Sequence, residues 1–147
     1  MTTPVYRGMP PTDRTFTVEP WGSIRCGGPC RDDYGRIVAF QNRGGQILRL
    51  QSAARDSYLA AERRIGFAIL VTGSLRSCEQ QADLYRSDPQ RFANPNTTGH
   101  TRGLCIDVST NLSRWRQGRL RRALLARGWH QSRPVDEPWH YSFGIEV

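Results

Sequence analysis

Only three histidines occur in the 147 residues, and two stand in short segments that also hold a carboxylate. The first segment is Thr98-Gly99-His100-Thr101-Arg102-Gly103-Leu104-Cys105-Ile106-Asp107, and the second is Glu137-Pro138-Trp139-His140. His100, Asp107 and His140 together offer two imidazoles and a carboxylate. Those are the donor types of a catalytic zinc site, where three protein ligands leave a fourth position open to water. Gly103 allows the chain to turn between His100 and the segment bearing Asp107. Leu104, Ile106 and Val108 alternate with Cys105, Asp107 and Ser109, so Asp107 points off the face opposite the apolar one. His140 alternates in the same way with Trp139 and Tyr141. If the two segments are neighbouring strands, His140 and Asp107 converge on one edge of a sheet. Spacing alone also admits simpler readings: Asp107 as a capped turn or an arginine partner, His140 as a hydrogen-bonded strand residue, and Glu137-Pro138 as an exposed turn.

The elements that must position these residues are legible in outline. Ile47, Leu50, Ala54, Tyr58, Ala61 and Ile65 recur at three- and four-residue steps, which predicts an amphipathic helix over 46–64 stopped by Gly66. Phe67–Thr72 reads as a short buried strand. Ser77 with Gln80 three residues on is a capping-box pattern, opening a helix to about Tyr85 or Arg86. Asp88-Pro89 predicts one further helical turn to Ala93. The alternation at 104–109 predicts a strand. Leu112, Trp115, Leu120, Ala123 and Leu124 predict a second amphipathic helix, weakened by Gly118 to the point of starting there, and ending at Gly128. Trp139, Tyr141 and Phe143 predict a terminal strand. Helices and strands mix without a βαβ rhythm, so the fold class is α+β with a small, mainly antiparallel sheet. Residues 1–45 read as loops and short strands wrapping a core over 46–147, the whole being one domain.

Composition narrows the function classes. Aromatic residues make up 10% and apolar residues 37%, enough for one modest core and against wholesale disorder. No apolar run approaches the ~18 residues of a membrane span. The start, MTTPVYRGMPPTDRT, lacks a signal-type apolar stretch, so the expectation is a protein made in the cytoplasm. The net charge is +8 and all 21 cations are arginine. That predicts attraction to polyanions, either nucleic acid or anionic envelope polymers, without choosing between them. No zinc-finger spacing or aromatic-studded RNA-binding strand is present. Cys26, Cys30, Cys78 and Cys105 permit two disulfides in three pairings. The three-residue spacing of Cys26 and Cys30 is not that of a zinc knuckle, and free thiols are the expectation without an export signal. Cys78 and Cys105 each sit beside a motif, which suggests proximity.

The two histidine segments resemble the zinc D-alanyl-D-alanine carboxypeptidases of the vancomycin-resistance type and the related phage L-alanyl-D-glutamate endopeptidases. The pattern of that family is Ser-x-His-x-x-Gly-x-Ala-x-Asp followed by Glu-x-Trp-His. Here Thr98 stands for the serine and Cys105 for the alanine, with His100, Gly103, Asp107, Glu137, Trp139 and His140 in register. An upstream Arg-Ser, Gln, Leu-Tyr segment is matched by Arg76-Ser77, Gln81 and Leu84-Tyr85. The resemblance covers about residues 66–143 and leaves 1–45 unmatched.

The resemblance implies a zinc-peptidase fold of the carboxypeptidase or hedgehog-like type. It implies one Zn²⁺ on His100, Asp107 and His140, with Glu137 as general base and then acid. Arg76 would stabilise the scissile carbonyl oxygen or bind a substrate carboxylate. Thr98 and Trp139 are candidate substrate contacts, though Trp139 also suits packing beneath the site. Gln81 and Tyr85 are candidate supports, and His130 is read as a surface residue after the Gly128 turn. The expected substrate is a peptidoglycan stem peptide, cut by a monomeric phage endolysin or virion-associated enzyme that reaches the wall through a holin or within the particle. No specific nucleic acid and no membrane insertion are expected. The alternatives are a D-alanyl-D-alanine carboxypeptidase, a non-catalytic wall-binding module, and a basic nucleic-acid-binding protein.

Overall fold

A computed structural model describes residues 14–18, 24–26, 30–32, 37–94 and 98–144 of the chain. Strands β1 (Arg14–Val18), β2 (Ile24–Cys26) and β3 (Cys30–Asp32) form an antiparallel sheet in the order β2-β1-β3. Strands β4 (Ile37–Gln41) and β5 (Ile47–Gln51) form a hairpin that leads directly into helix α1 (Ser52–Ile65). The hairpin turn is fastened by Asn42, whose Oδ1 accepts from the Gln46 N–H at 2.8 Å. Gly45 lies at φ 85°, which a side chain would resist.

The central sheet has the order β6-β7-β9-β8, all neighbours antiparallel, from β6 (Val71–Gly73), β7 (Cys105–Val108), β8 (Trp129–His130) and β9 (His140–Phe143). Helix α2 (Cys78–Ser87) follows β6, and α3 (Arg114–Leu125) joins β7 to β8. This is the α+β arrangement that the mixed periodicities imply. Among the described residues no helix is long and apolar enough to cross a membrane.

One face of the central sheet is dry. Ile106, Val108 and Tyr141 pack with Ala54, Tyr58, Ala61 and Ile65 of α1 and with Leu120, Ala123 and Leu124 of α3. Burial at i, i+4, i+7 and i+11 of α1 is the stripe of an amphipathic helix. Trp129 closes the core, and its Nε1–H donates to Ser57 Oγ at 3.0 Å. The interior also contains a polar chain. Asn42 Nδ2 donates to the Tyr58 hydroxyl (3.2 Å) and the Ile69 carbonyl (3.1 Å), and Tyr58 donates to Glu62 Oε2 at 3.1 Å. Glu62 Oε1 accepts from the Arg43 N–H at 2.7 Å. Burial and the neighbouring Glu62 charge push the Tyr58 phenol far above its usual range.

Several elements differ from the sequence reading. Residues 47–51 are strand, so the helix expected over 46–64 begins only at Ser52. Leu48 and Leu50 are the buried pair of β5, a period of two that the three- and four-residue spacing of Ile47, Leu50 and Ala54 disguises. The strand expected at 67–72 is confined to Val71–Gly73. Asp88–Ala93 makes the single further turn expected, with the Asp88 carbonyl accepting from Phe92 at 3.0 Å and its carboxylate from the Arg91 N–H at 3.2 Å, without extending into a helix. Helix α3 starts at Arg114, before Gly118, because the Ser113 hydroxyl caps the Arg116 N–H. The capping box at Ser77 and Gln80 is formed as its pattern implies.

Candidate metal centre

The site lies on the face of the central sheet opposite helices α1 and α3. Asp107 of β7 pairs directly with His140 of β9. Their immediate neighbours Ile106 and Tyr141 point into the core, so the alternation of a strand sends Asp107 and His140 the other way. His100 arrives from a single 3-10 turn, His100–Arg102, that precedes β7. Gly103 ends that turn at φ 69°, and a Cβ there would collide with Ile37. The turn is hung on the β4–β5 hairpin. Gln51 donates its N–H to the Gly103 carbonyl (2.9 Å) and its Nε2 to the Arg102 carbonyl (2.8 Å). The Thr98 hydroxyl accepts from the His100 N–H at 3.2 Å, so Thr98 is buried and shapes the entry to the turn.

His100, Asp107 and His140 each present a ligand atom, and the three atoms lie within 4.8 Å of one another. His100 Nδ1 lies 2.7 Å from the Ser74 carbonyl. A carbonyl only accepts, so Nδ1 carries the proton and Nε2 keeps its lone pair for a ligand. That Nε2 is 3.3 Å from Asp107 Oδ1, and His140 Nδ1 is 3.0 Å from the same oxygen. The donor set, its convergence and the fixed His100 tautomer all fit one divalent ion such as zinc.

The second carboxylate oxygen of Asp107 faces Arg76, whose Nη2 stands 3.1 Å away. Arg76 Nη1 donates to Gln81 Oε1 at 3.1 Å, and Gln81 Nε2 donates to the Ala93 carbonyl at 2.8 Å. A bulge between Val71 and Gly73 sets Gly73 opposite Asp107. A Cβ at Gly73 would stand 2.6 Å from Arg76 Nη2 and 3.2 Å from Asp107 Oδ2, so only glycine leaves room for the ion pair.

The electrostatics of the metal-free cluster follow from this geometry. Burial alone would raise the Asp107 pKa, but His100, His140 and Arg76 outweigh it and hold the carboxyl well below its usual range. Burial lowers the His100 pKa, more than the attraction of Asp107 restores. For His140 burial is opposed by hydrogen bonds to Asp107 and Cys105, and its pKa is pushed up to about 11. The cluster therefore holds one proton at neutral pH, on the His140 side of the Asp107 carboxylate.

The remaining candidates are placed as follows. Glu137 is half-buried in the turn before β9, where its carbonyl accepts from the His140 N–H at 3.1 Å. Its carboxylate is outside the converging trio and has no hydrogen-bond partner among the described residues. Trp139 is half-buried beside it. His130 follows the turn ending at Gly128, as expected, but is partly buried rather than fully at the surface. It belongs to β8, half-buried and paired with Ser142. Tyr85 is partly exposed on α2, and its side chain makes no hydrogen bond among the described residues. Cys78, expected as a thiol, is disulfide-bonded, and it is not paired with Cys105, whose buried thiol is a hydrogen-bond neighbour of His140. Sequence reasoning missed Gly73 and Ser74. Their part in the site depends on the bulge, which leaves no periodic signature.

No family model matches the chain, and no curated protein matches it either. Solved structures do match. The chain superposes on VanYB in complex with D-alanine-D-alanine with a TM-score of 0.54 at 19% identity, covering 75% of this chain and 78% of that one. A vancomycin-resistance D,D-pentapeptidase VanY variant from a VanB-type cassette, in complex with Zn(II), gives 0.53 at 19% identity over 75% and 80%. The vancomycin-resistance D,D-dipeptidase VanXYg, with a D-Ala-D-Ala phosphinate analogue, gives 0.52 at 20% identity. That match covers 65% of this chain and only 51% of VanXYg, about half its length. The chain thus has the α+β fold of these zinc peptidases.

Proposed function

We propose that the protein is a zinc-dependent peptidase acting on the stem peptides of peptidoglycan. The observation that carries this reading is the convergence of His100, Asp107 and His140, with a fixed His100 tautomer, on the fold of peptidases that bind D-Ala-D-Ala ligands and zinc. A bound divalent ion supplies Lewis acidity and lowers the pKa of water at the site towards ~7.

The chain's own residues supply the rest. Glu137, with a carboxylate not engaged by the described protein, takes the proton of the attacking water and passes it to the leaving amine. Arg76, held by Gln81 and Asp107, sets a fixed positive charge beside the site where the carbonyl oxygen becomes an anion. His100 and His140 are kept in orientation by Ser74 and by the β7–β9 pairing. Thr98 acts through the His100 backbone, and Trp139 forms part of the floor.

Cleavage at a D-alanyl-D-alanine terminus is favoured by the ligands of the structural neighbours. An internal L-alanyl-D-glutamate cut, by a monomeric phage lysin or virion enzyme working on the wall from outside, is the second reading. The charge of +8 suits work on an insoluble anionic polymer. The test is incubation with purified peptidoglycan, followed by mass spectrometry of the new termini. Release of terminal D-alanine assigns the first reading, and a new glutamate amine assigns the second. Intact stems with a zinc-loaded protein would overturn both.

A further inference from the structure

Helix α3, RWRQGRLRRALL, carries five arginines and no acid. At 100° per residue, Leu120, Ala123 and Leu124 form its buried side. The opposite side presents Arg114, Trp115, Gly118, Arg121 and Arg122. Trp115 is 63% exposed, unusual for so large an apolar ring. Among the described residues none of the α3 arginines is in an ion pair. Two of the five have structural work. Arg119 stacks over Trp115 and donates to the Arg64 and Ile65 carbonyls, and Arg116 lies over the Phe67 ring. Arg114, Arg121 and Arg122 are exposed, and the exposed Arg63 and Arg64 at the end of α1 extend the same basic region.

A cavity of about 260 Å³ opens along this helix, between α3 and the segment 131–138. Gly118, Arg121, Gln131, Pro138 and Tyr141 line it. Arg121 is steadied there by donating Nε–H to Gln131 Oε1 at 2.8 Å, and Gln131 Nε2 is fixed on the Pro138 carbonyl at 2.8 Å. The remaining guanidinium nitrogens of Arg121 make no hydrogen bond among the described residues. An exposed indole, several arginines outside ion pairs among the described residues and a lined recess together suit a polyanionic chain with uncharged units between its charges.

We propose that this face docks a phosphodiester-linked polyol polymer of the bacterial envelope, with phosphates on Arg114, Arg121 and Arg122 and one polyol unit in the recess. The choice of a wall polymer over nucleic acid rests on the peptidase reading above. The arginines lie on α3, across the central sheet from Asp107 and His140, and the recess meets the segment carrying Glu137 at Pro138, so a docked polymer leaves the metal-binding atoms open. The device holds the enzyme at its insoluble substrate without competing for the cleft.

The test uses the full chain in its zinc-loaded form and R114Q/R121Q/R122Q, R114Q/R122Q and W115A variants. Binding is measured to a labelled poly(glycerol phosphate) fragment over a salt series, with a DNA duplex of matched charge as competitor. Cosedimentation is measured with walls retaining that polymer and walls stripped of it. The triple variant is expected to bind at least ~10-fold more weakly, with the log-affinity against log-salt slope flattened by about 2 to 3, one step per lost phosphate contact. W115A is expected to weaken binding without changing that slope. Cleavage of a short soluble stem peptide stays at the parent rate in W115A and in R114Q/R122Q, which keep the Arg121–Gln131–Pro138 link. Equal sedimentation with stripped walls, an unchanged salt slope, or tighter binding of the duplex than of the polymer would overturn the proposal. Polymer binding as described in a protein that cuts no stem peptide would overturn the peptidase reading and leave the docking face standing.

Discussion

Asp107 divides its two carboxylate oxygens between two tasks: Oδ1 faces the imidazoles of His100 and His140, while Oδ2 stands 3.1 Å from Nη2 of Arg76. One carboxylate thus links the metal-binding atoms to the guanidinium, and the predictions nearest the chemistry follow from that link.

Gly73→Ala places a methyl 2.6 Å from Arg76 Nη2. The guanidinium, the far end of a flexible side chain, is the group that gives way, and it moves off Asp107. The expected result is a fall of about 10–100-fold in zinc affinity, the usual range for losing an outer partner of a ligand. The fold should persist. Chelator competition and circular dichroism check this together, and parent-like zinc affinity would refute it.

Gln81→Leu removes the acceptor that holds Arg76 Nη1 and the donor to Ala93. Zinc content is expected to stay near one per chain, because Asp107 and both imidazoles remain. kcat is expected to fall by ~10-fold or more with a smaller change in KM, since a fixed charge matters most where charge develops. Arg76→Lys should fall at least as far, because an ammonium cannot reach both Gln81 and Asp107 as a fork does.

Glu137→Ala is expected to keep zinc and lose several orders of magnitude in kcat, whereas His100→Ala and Asp107→Ala are expected to lose the metal. Metal analysis paired with peptide cleavage separates the two outcomes. Full zinc in the ligand variants would remove His100 or Asp107 from the site.

Metal binding should compete with one proton. The His140 pKa is pushed up to about 11 in the metal-free protein, and that of His100 is lowered. Across the neutral range His140 is therefore protonated and His100 is not, so binding releases one proton. Zinc affinity is expected to rise about tenfold per pH unit from pH 7 to 9, measured with a chromophoric chelator. A slope near zero or near two would contradict it. The metal-free fold should also lose stability as pH falls below ~4. Asp107 has a depressed pKa, so its contribution is present above its unfolded value and disappears on protonation.

Tyr58→Phe leaves Glu62 Oε2 without its internal donor and Asn42 Nδ2 without one of its acceptors. The expected cost is about 1–3 kcal/mol, read as a lowered Tm. In the parent the raised Tyr58 pKa contributes stability that is complete below ~10 and is lost as pH rises beyond it, so the variant should lack that part of the alkaline transition.

The converging trio of His100, Asp107 and His140 could be read from sequence because its signals are local. An alternating strand places Asp107, a glycine turn separates it from His100, and Glu137 lies three residues before His140. What escaped reading depends on elements meeting in space. Strand β5 runs straight into α1, so its Ile47 and Leu50 joined the apparent helical stripe. The two-residue strand β8 is too short to show a period, and it drew His130 into the sheet. The disulfide of Cys78 has no spacing signature, and Gly73 matters only because a bulge turns it towards Arg76.

Gln51 has a wider consequence. It is the last residue of β5, it immediately precedes α1, and it takes up the carbonyls of both Arg102 and Gly103. The longest core helix and the turn presenting His100 are therefore pinned at one residue, through its backbone and its side chain. The start of α1 and the turn that carries His100 are thereby joined through two hydrogen bonds of one residue. The candidate metal centre and the helical layer share this joint.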